Sequence, residues 1–344
     1  MELSIRYLQK SKGCVMNFRT LCNVPSRLNS TNKVLKICDF EENARSFRSI
    51  STAEKIARCK LASLYRLLYI SGWAEDVLNH VTLRLPSKTA ISCNNDNQID
   101  ETFLINKFGL QYWEVTSSNL VEATLSDDAE IVSPGSNCGP VGLNKAGVVL
   151  HTALHRARED VECIVHFHQT DVQALSALKC GLLKTSLESC ILGGVSRHSF
   201  RGITIHQEER KQLRQSLGKT NKVMMLDNHG AVVCGSSVEE TWQLTTLLVH
   251  AAKSQLTALQ AVGGDESKLV LIEEETAQRT YETAWSGNLH GRDLTDTVSH
   301  SGEKGKSIAG EGIENEALTQ KFGVRLFNSE IRRLDFMGYN TGLT

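Results

Sequence analysis

The stretch Asp160-Val161-Glu162-Cys163-Ile164-Val165-His166-Phe167-His168 decides the reading of the fold. Its centre is a short, nearly unbroken apolar run, too brief for a helix and suited to a strand covered on both faces. Side chains alternate along a strand, so His166 and His168 project to the same side at its end. Residues 144–158 upstream read as a helix, and residues 171–178 downstream as another. Working outward, Ser51-Thr52-Ala53-Glu54 offers a capping-box-like helix start. Ile56, Leu61, Leu64, Leu67, Leu68 and Ile70 follow it at roughly helical spacing. Short β-like runs lie at 80–85, 102–105, 129–132, 222–226 and 231–234, and a long amphipathic helix at 238–261. Strands mixed with helices throughout predict an α/β layered domain over residues 51–263.

Two flanking segments differ in character. Residues 1–50 form a basic arm: within the first 38, Arg6, Lys10, Lys12, Arg19, Arg27, Lys33 and Lys36 face one acid, Glu2. A solvated flexible arm, a mitochondrial-type presequence and an arm for an anionic membrane surface all fit that pattern. Residues 264–344 read as a polar linker carrying an acidic helix at 265–285 and a short helical segment at 318–337. The Gly-, Ser-, Asn- and Glu-rich stretch 286–316 between them reads as mobile.

The composition excludes several classes. In 344 residues, 38 Lys and Arg stand against 39 Asp and Glu, a net charge of −1 that gives no whole-chain basis for binding nucleic acid. No apolar run approaches the ~18 residues of a membrane span. Ten cysteines lie far apart without a Cys-x-x-Cys pair, several inside apolar runs, which fits reduced thiols in a cytoplasmic setting. No phosphate-binding GxxxxGK[ST] loop is present, and Gly193-Gly194 is too short a signal for a dinucleotide site.

One constellation carries chemistry. His229, in Asp227-Asn228-His229-Gly230, follows an apolar strand as His166 and His168 end one, so three imidazoles could meet on a zinc-type ion with a coordination position left open. Ordinary polar residues at strand ends are the alternative. His151 and His155, spaced i and i+4, suit helix packing.

Several motifs resemble the class II aldolase/adducin superfamily, and its adducin branch in particular. They include Asn144-Lys145-Ala146-Gly147 with His151, Ala157-Arg158, Asp160-Val161 and Val165-His166-Phe167-His168. Cys59 through Leu67 is similar to the opening helix of an adducin head, as are Asn79-His80-Val81-Thr82-Leu83-Arg84, Phe108-Gly109-Leu110 and Glu114-Val115-Thr116-Ser117-Ser118. Leu175 through Leu183, Asn228-His229-Gly230, Val238-Glu239-Glu240 and the run from Arg333 to Gly342 extend the likeness over roughly 50–344.

The resemblance implies a three-layer class II aldolase-like domain with a central mixed, mainly antiparallel sheet flanked by helices. In the superfamily's aldolases and epimerases the counterparts of His166, His168 and His229 bind zinc, which polarises a carbonyl and stabilises an enediolate. Their catalytic glutamate falls four residues before the helix histidine, where this chain has Gly147, as adducins do. A glycine cannot exchange a proton. The adducin likeness therefore implies a non-enzymatic, self-associating protein of the cytoplasmic face of the plasma membrane, a homo-oligomer or hetero-oligomer with adducins. Actin filaments and spectrin would be its partners. The Lys-rich, calmodulin-regulated tail of adducins has no counterpart here. The alternative is a zinc-dependent aldolase or epimerase acting on a small hydroxy-carbonyl or sugar-phosphate substrate.

Overall fold

A computed structural model describes residues 35–40, 50–86, 101–136, 142–199, 207–286 and 321–344. The basic segment 1–34 and most of the stretch read as mobile, from 287 onward, lie outside them. Ser51 accepts a hydrogen bond from the Glu54 amide and starts helix α1, Thr52–Ile70. The Glu54 carboxylate accepts from Arg58 Nε at 2.9 Å. Strands β2 (His80–Arg84), β3 (Thr102–Ile105), β4 (Val121–Thr124) and β5 (Ile131–Ser133) follow in antiparallel succession. Helix α2 (Lys145–Ala157), capped by Asn144, leads into β6 (Cys163–Phe167), then α3 (Thr170–Ser176) and α4 (Leu187–Ile191). The second half adds β7 (Val195–His198), α5 (Gln207–Leu217), β8 (Val223–Leu226), β9 (Gly230–Gly235) and α6 (Val238–Ala261). Helices α7 (Glu274–Trp285) and α8 (Val324–Phe336) come last, before β10 (Tyr339–Asn340). A short strand at the other end of this unit, β1 (Leu35–Lys36), pairs with β10 in parallel.

The described residues form one eight-stranded sheet in the order β5-β4-β3-β2-β6-β9-β8-β7. Every neighbouring pair is antiparallel except β7 and β8, so the sheet is mixed and mainly antiparallel, as expected. Alternation divides its two faces cleanly. On β6, Cys163, Val165 and Phe167 join the cluster of α1, α3, α6 and α8, while Ile164 joins that of α2 and α5. Strands β8 and β9 do the same, with Val223, Met225, Ala231 and Val233 on one side and Met224, Leu226, Val232 and Cys234 on the other. Each fully buried aliphatic side chain of this kind stabilises the fold by about 1.5–3 kcal/mol. The three layers are thus a consequence of strands that are apolar on both faces.

The differences from the sequence reading lie at the sheet edge and in the short helices. Strands β4 and β7 and helices α4 and α5 carry too few apolar residues to show a period. The helix expected at 265–285 begins only at Glu274; a single 3-10 turn and extended chain fill 266–273.

Candidate metal centre

Strand β6 places His166 on the face covered by α2, and the chain beyond it carries His168 to the rim. His229 arrives from the turn between β8 and β9. The three present ligand atoms within 4.8 Å of one another, with His166 buried and the other two half-buried. The structure thus brings together all three residues singled out in the sequence.

That turn is firmly held. Arg197 of β7 reaches the Asp227 carboxylate with Nε and Nη2 at 2.9 and 2.6 Å, and its Nη1 and Nη2 also donate to the carbonyls of Leu178 and Ser176. Asn228 has φ of 57°, tolerable for asparagine, and Gly230 has φ of 147°. A Cβ at Gly230 would lie 2.5 Å from the Phe167 carbonyl oxygen, so glycine alone lets β9 approach β6 beside His229.

Hydrogen bonds assign the tautomers. His166 Nδ1 is 3.1 Å from the Ala231 carbonyl oxygen, and His168 Nδ1 is 2.7 Å from Glu75 Oε2. Both acceptors require a proton on Nδ1, which leaves Nε2 of each ring as a lone pair. The two Nε2 atoms are 2.9 Å apart. Lone pairs at that separation repel unless a cation, a proton or a metal ion, lies between them. Two nitrogens on one tetrahedral zinc would stand about 3.3 Å apart, so the donors fit such an ion with small adjustment. Burial, with His80, His168 and His229 nearby, holds His166 well below the usual histidine range, as a neutral ligand requires. His229 is lowered too, by burial first and then by His168. Three imidazoles leave the fourth position of a zinc-type site open.

Behind the triad runs a second set of histidines. His80 on β2 is the direct cross-strand partner of His166, their ring centroids 4.8 Å apart. His80 Nδ1 lies 2.8 Å from His151 Nε2; His151 Nδ1 lies 2.6 Å from Thr82 Oγ1; Thr82 Oγ1 lies 2.8 Å from His155 Nε2. His155 Nδ1 ends the row 3.0 Å from the Val161 carbonyl. That carbonyl only accepts, so His155 donates from Nδ1, and its Nε2 accepts from the Thr82 hydroxyl. Thr82 in turn accepts from His151 Nδ1, and His151 Nε2 accepts from His80 Nδ1. The row has one polarity, and it leaves the lone pair of His80 on Nε2. Burial pulls His155 down to about 3, with Arg84 adding to the effect against the opposing bond to Val161. Burial also holds His80 and His151 well below the ordinary value. All three rings are neutral near pH 7.

The missing carboxylate has a steric explanation. Gly147 lies in the first turn of α2 directly under His80, and a Cβ there would stand 2.7 Å from His80 Cδ2. His80 fills the volume a glutamate side chain at 147 would cross. His80, Thr82 and Glu75 are the site residues that sequence reasoning did not single out. The visible signal was a polar pair at i and i+2 on one strand matching a histidine pair at i and i+4 on one helix.

Residues 59–256 match the family described as Class II Aldolase and Adducin N-terminal domain. The chain belongs to this family. It is 38% identical to rat alpha-adducin over 289 residues, which is 84% of this chain and 34% of that protein. It is 33% identical to Drosophila melanogaster protein hu-li tai shao over 341 residues, 96% of this chain and 28% of that one. The chain therefore spans about a third of the length of these curated relatives. Among solved structures, an aldolase II superfamily protein from Pseudomonas syringae superposes with a TM-score of 0.65 at 32% identity, covering 86% of this chain and 97% of that one. In this chain the triad joins the end of β6 to the β8–β9 turn, and the glycine of α2 lies under His80.

Proposed function

We propose that this chain works as an adducin-like cytoskeletal protein: a non-enzymatic, self-associating head on the cytoplasmic side of the plasma membrane, partnered with adducins and linked to actin filaments and spectrin. The observation that carries the reading is the packing of His80 on Gly147, which leaves α2 no carboxylate beside the triad, in a chain 38% identical to rat alpha-adducin. Among the described residues no helix is long and apolar enough to cross a membrane. Sedimentation of the purified protein, alone and mixed with full-length adducins at micromolar concentration, tests the oligomer. Persistent monomer in both would remove it. Co-sedimentation with actin filaments at no more than the background of an unrelated protein would remove the direct actin link.

The convergence of His166, His168 and His229 favours a second reading, a zinc-dependent aldolase or epimerase acting on a small hydroxy-carbonyl or sugar-phosphate substrate. His166, His168 and His229 would hold the ion, which when bound would act as a Lewis acid toward a carbonyl oxygen. Glu75 and the Ala231 carbonyl orient the rings. Stoichiometric zinc that disappears in a His166→Ala, His168→Ala double variant supports the site. Protein that takes up no zinc after metal loading removes this reading and leaves the first intact.

A further inference from the structure

Cys38 and Cys59 stand apart from the chain's other described thiols. Cys38 belongs to the short segment that follows β1 and lies across α1, while Cys59 is on α1 itself and buried. The segment is held by Ile37 and Cys38 amides donating to the Asn340 carbonyl, the Ser117 amide donating to the Ile37 carbonyl, and Asp39 accepting from Ser117 and Ser118. The two thiols are neighbours: the Cys38 and Cys59 sulfurs lie 2.6 and 3.5 Å from the one point where a side chain on Gly342 would begin, and each is the leading influence on the other's ionisation. Their surroundings are unequal. Cys38 is partly exposed, and the Cys59 thiol, the Phe40 amide and the Ser117 hydroxyl favour its thiolate against the cost of burial and the charge of the neighbouring Asp39. Cys59 is raised, by its bond to Cys38 and by burial. By contrast Cys163 and Cys234 lie in the core, where burial raises both, Cys234 to about 12.

We propose that Cys38 and Cys59 form a peroxide-reactive pair, Cys38 attacking and Cys59 resolving, that closes into a disulfide joining the β1 segment to α1. The Cys38 thiolate attacks one oxygen of a hydroperoxide; the O–O bond breaks, the alcohol or water leaves after protonation, and Cys38 becomes a sulfenic acid. The Cys59 sulfur then attacks the Cys38 sulfur, the S–O bond breaks, and water leaves with the Cys59 proton. Two thiols lose two electrons and two protons, and one hydroperoxide is reduced. A small dithiol reverses the change by exchange.

Full-length reduced protein treated with equimolar hydrogen peroxide and mapped by mass spectrometry without reductant tests the pair. The expected product has lost the mass of two hydrogens and yields a linked peptide pair containing Cys38 and Cys59, reversed by dithiothreitol. In Cys59→Ser, Cys38 should accumulate as a sulfenic acid captured by dimedone; in Cys38→Ser, Cys59 should stay unlabelled. Cys180, also partly exposed but raised by burial and Glu266, is an internal reference in the unaltered protein, and Cys38 should react roughly tenfold faster. Cys38 reacting no faster than Cys180, or a linked product joining Cys38 to any other cysteine, would overturn the proposal.

Discussion

The imidazole of His80 stands where any side chain at position 147 would have to go: a Cβ on Gly147 would lie 2.7 Å from its Cδ2 and 2.9 Å from its Nε2. Glycine to alanine inside a helix ordinarily stabilises by about 1 kcal/mol. Here the added methyl must displace a buried ring bonded to His151, and such overpacking costs about 1–3 kcal/mol. Gly147→Ala is therefore expected to lower the urea midpoint. In a His80→Ala background the same change should raise it. A midpoint raised in Gly147→Ala by the ordinary helix gain would show that the two residues do not compete for space.

Thr82 joins His151 to His155 through a single hydroxyl, donating to one and accepting from the other. Thr82→Val keeps the shape and leaves His151 Nδ1 and His155 Nε2 buried without their partner. Each orphaned group costs about 1–3 kcal/mol, so a loss of about 2–6 kcal/mol in equilibrium unfolding is expected. A loss below about 1 kcal/mol would mean that water takes the place of the hydroxyl.

Acid should weaken the fold through the same row. The unfolded chain binds a proton at His155 near the ordinary value of 6.5, while the folded chain resists until about 3. The stability this asymmetry supplies is complete above pH 6.5 and is lost as pH falls from there toward 3. His80, His151 and His166 shift in the same direction. Each contributes a slope of up to about 1.4 kcal/mol per pH unit inside its window. Denaturant midpoints should fall steadily below about pH 6.5, and a flat profile to about pH 5 would contradict the neutral buried row.

How much of this was legible in the sequence depended on the range of the contacts involved. Strand β6 was plain because burial on both faces makes it apolar throughout, and α6 because its period runs over many turns. The triad was legible because His166 and His168 mark the end of one apolar run and His229 follows another. The partnership of His80 with His166 was not, since it depends on the register of β2 against β6 and couples residues far apart in the chain. For the same reason His151 and His155 read as ordinary packing on α2. Their partner Thr82 becomes identifiable only when the helix is laid on the sheet. Glu75 carried no signal at all, as a single exposed acid in a loop resembles every other.

Glu75 nevertheless has a defined task. It fixes His168 by accepting from Nδ1, as carboxylates commonly do behind a metal-binding imidazole. Under the zinc reading, Glu75→Ala is expected to weaken zinc binding by roughly 10–100-fold, read by competition with a chromophoric chelator, while unfolding is nearly unchanged because the side chain is half exposed. Unaltered affinity would mean that another group orients His168.

The parallel pairing of β1 with β10 has a mechanical consequence. Leu35 lies beside Tyr339 and Lys36 beside Asn340, with the chain running the same way in both. If the unit is drawn out between Leu35 and Thr344, one strand is pulled backward from its start and the other forward from its end. They must slide past each other rather than peel apart, so their hydrogen bonds carry the load together instead of one at a time. The elements enclosed between the two strands feel no tension until these bonds give way, so this short pairing sets the force at which the unit begins to open.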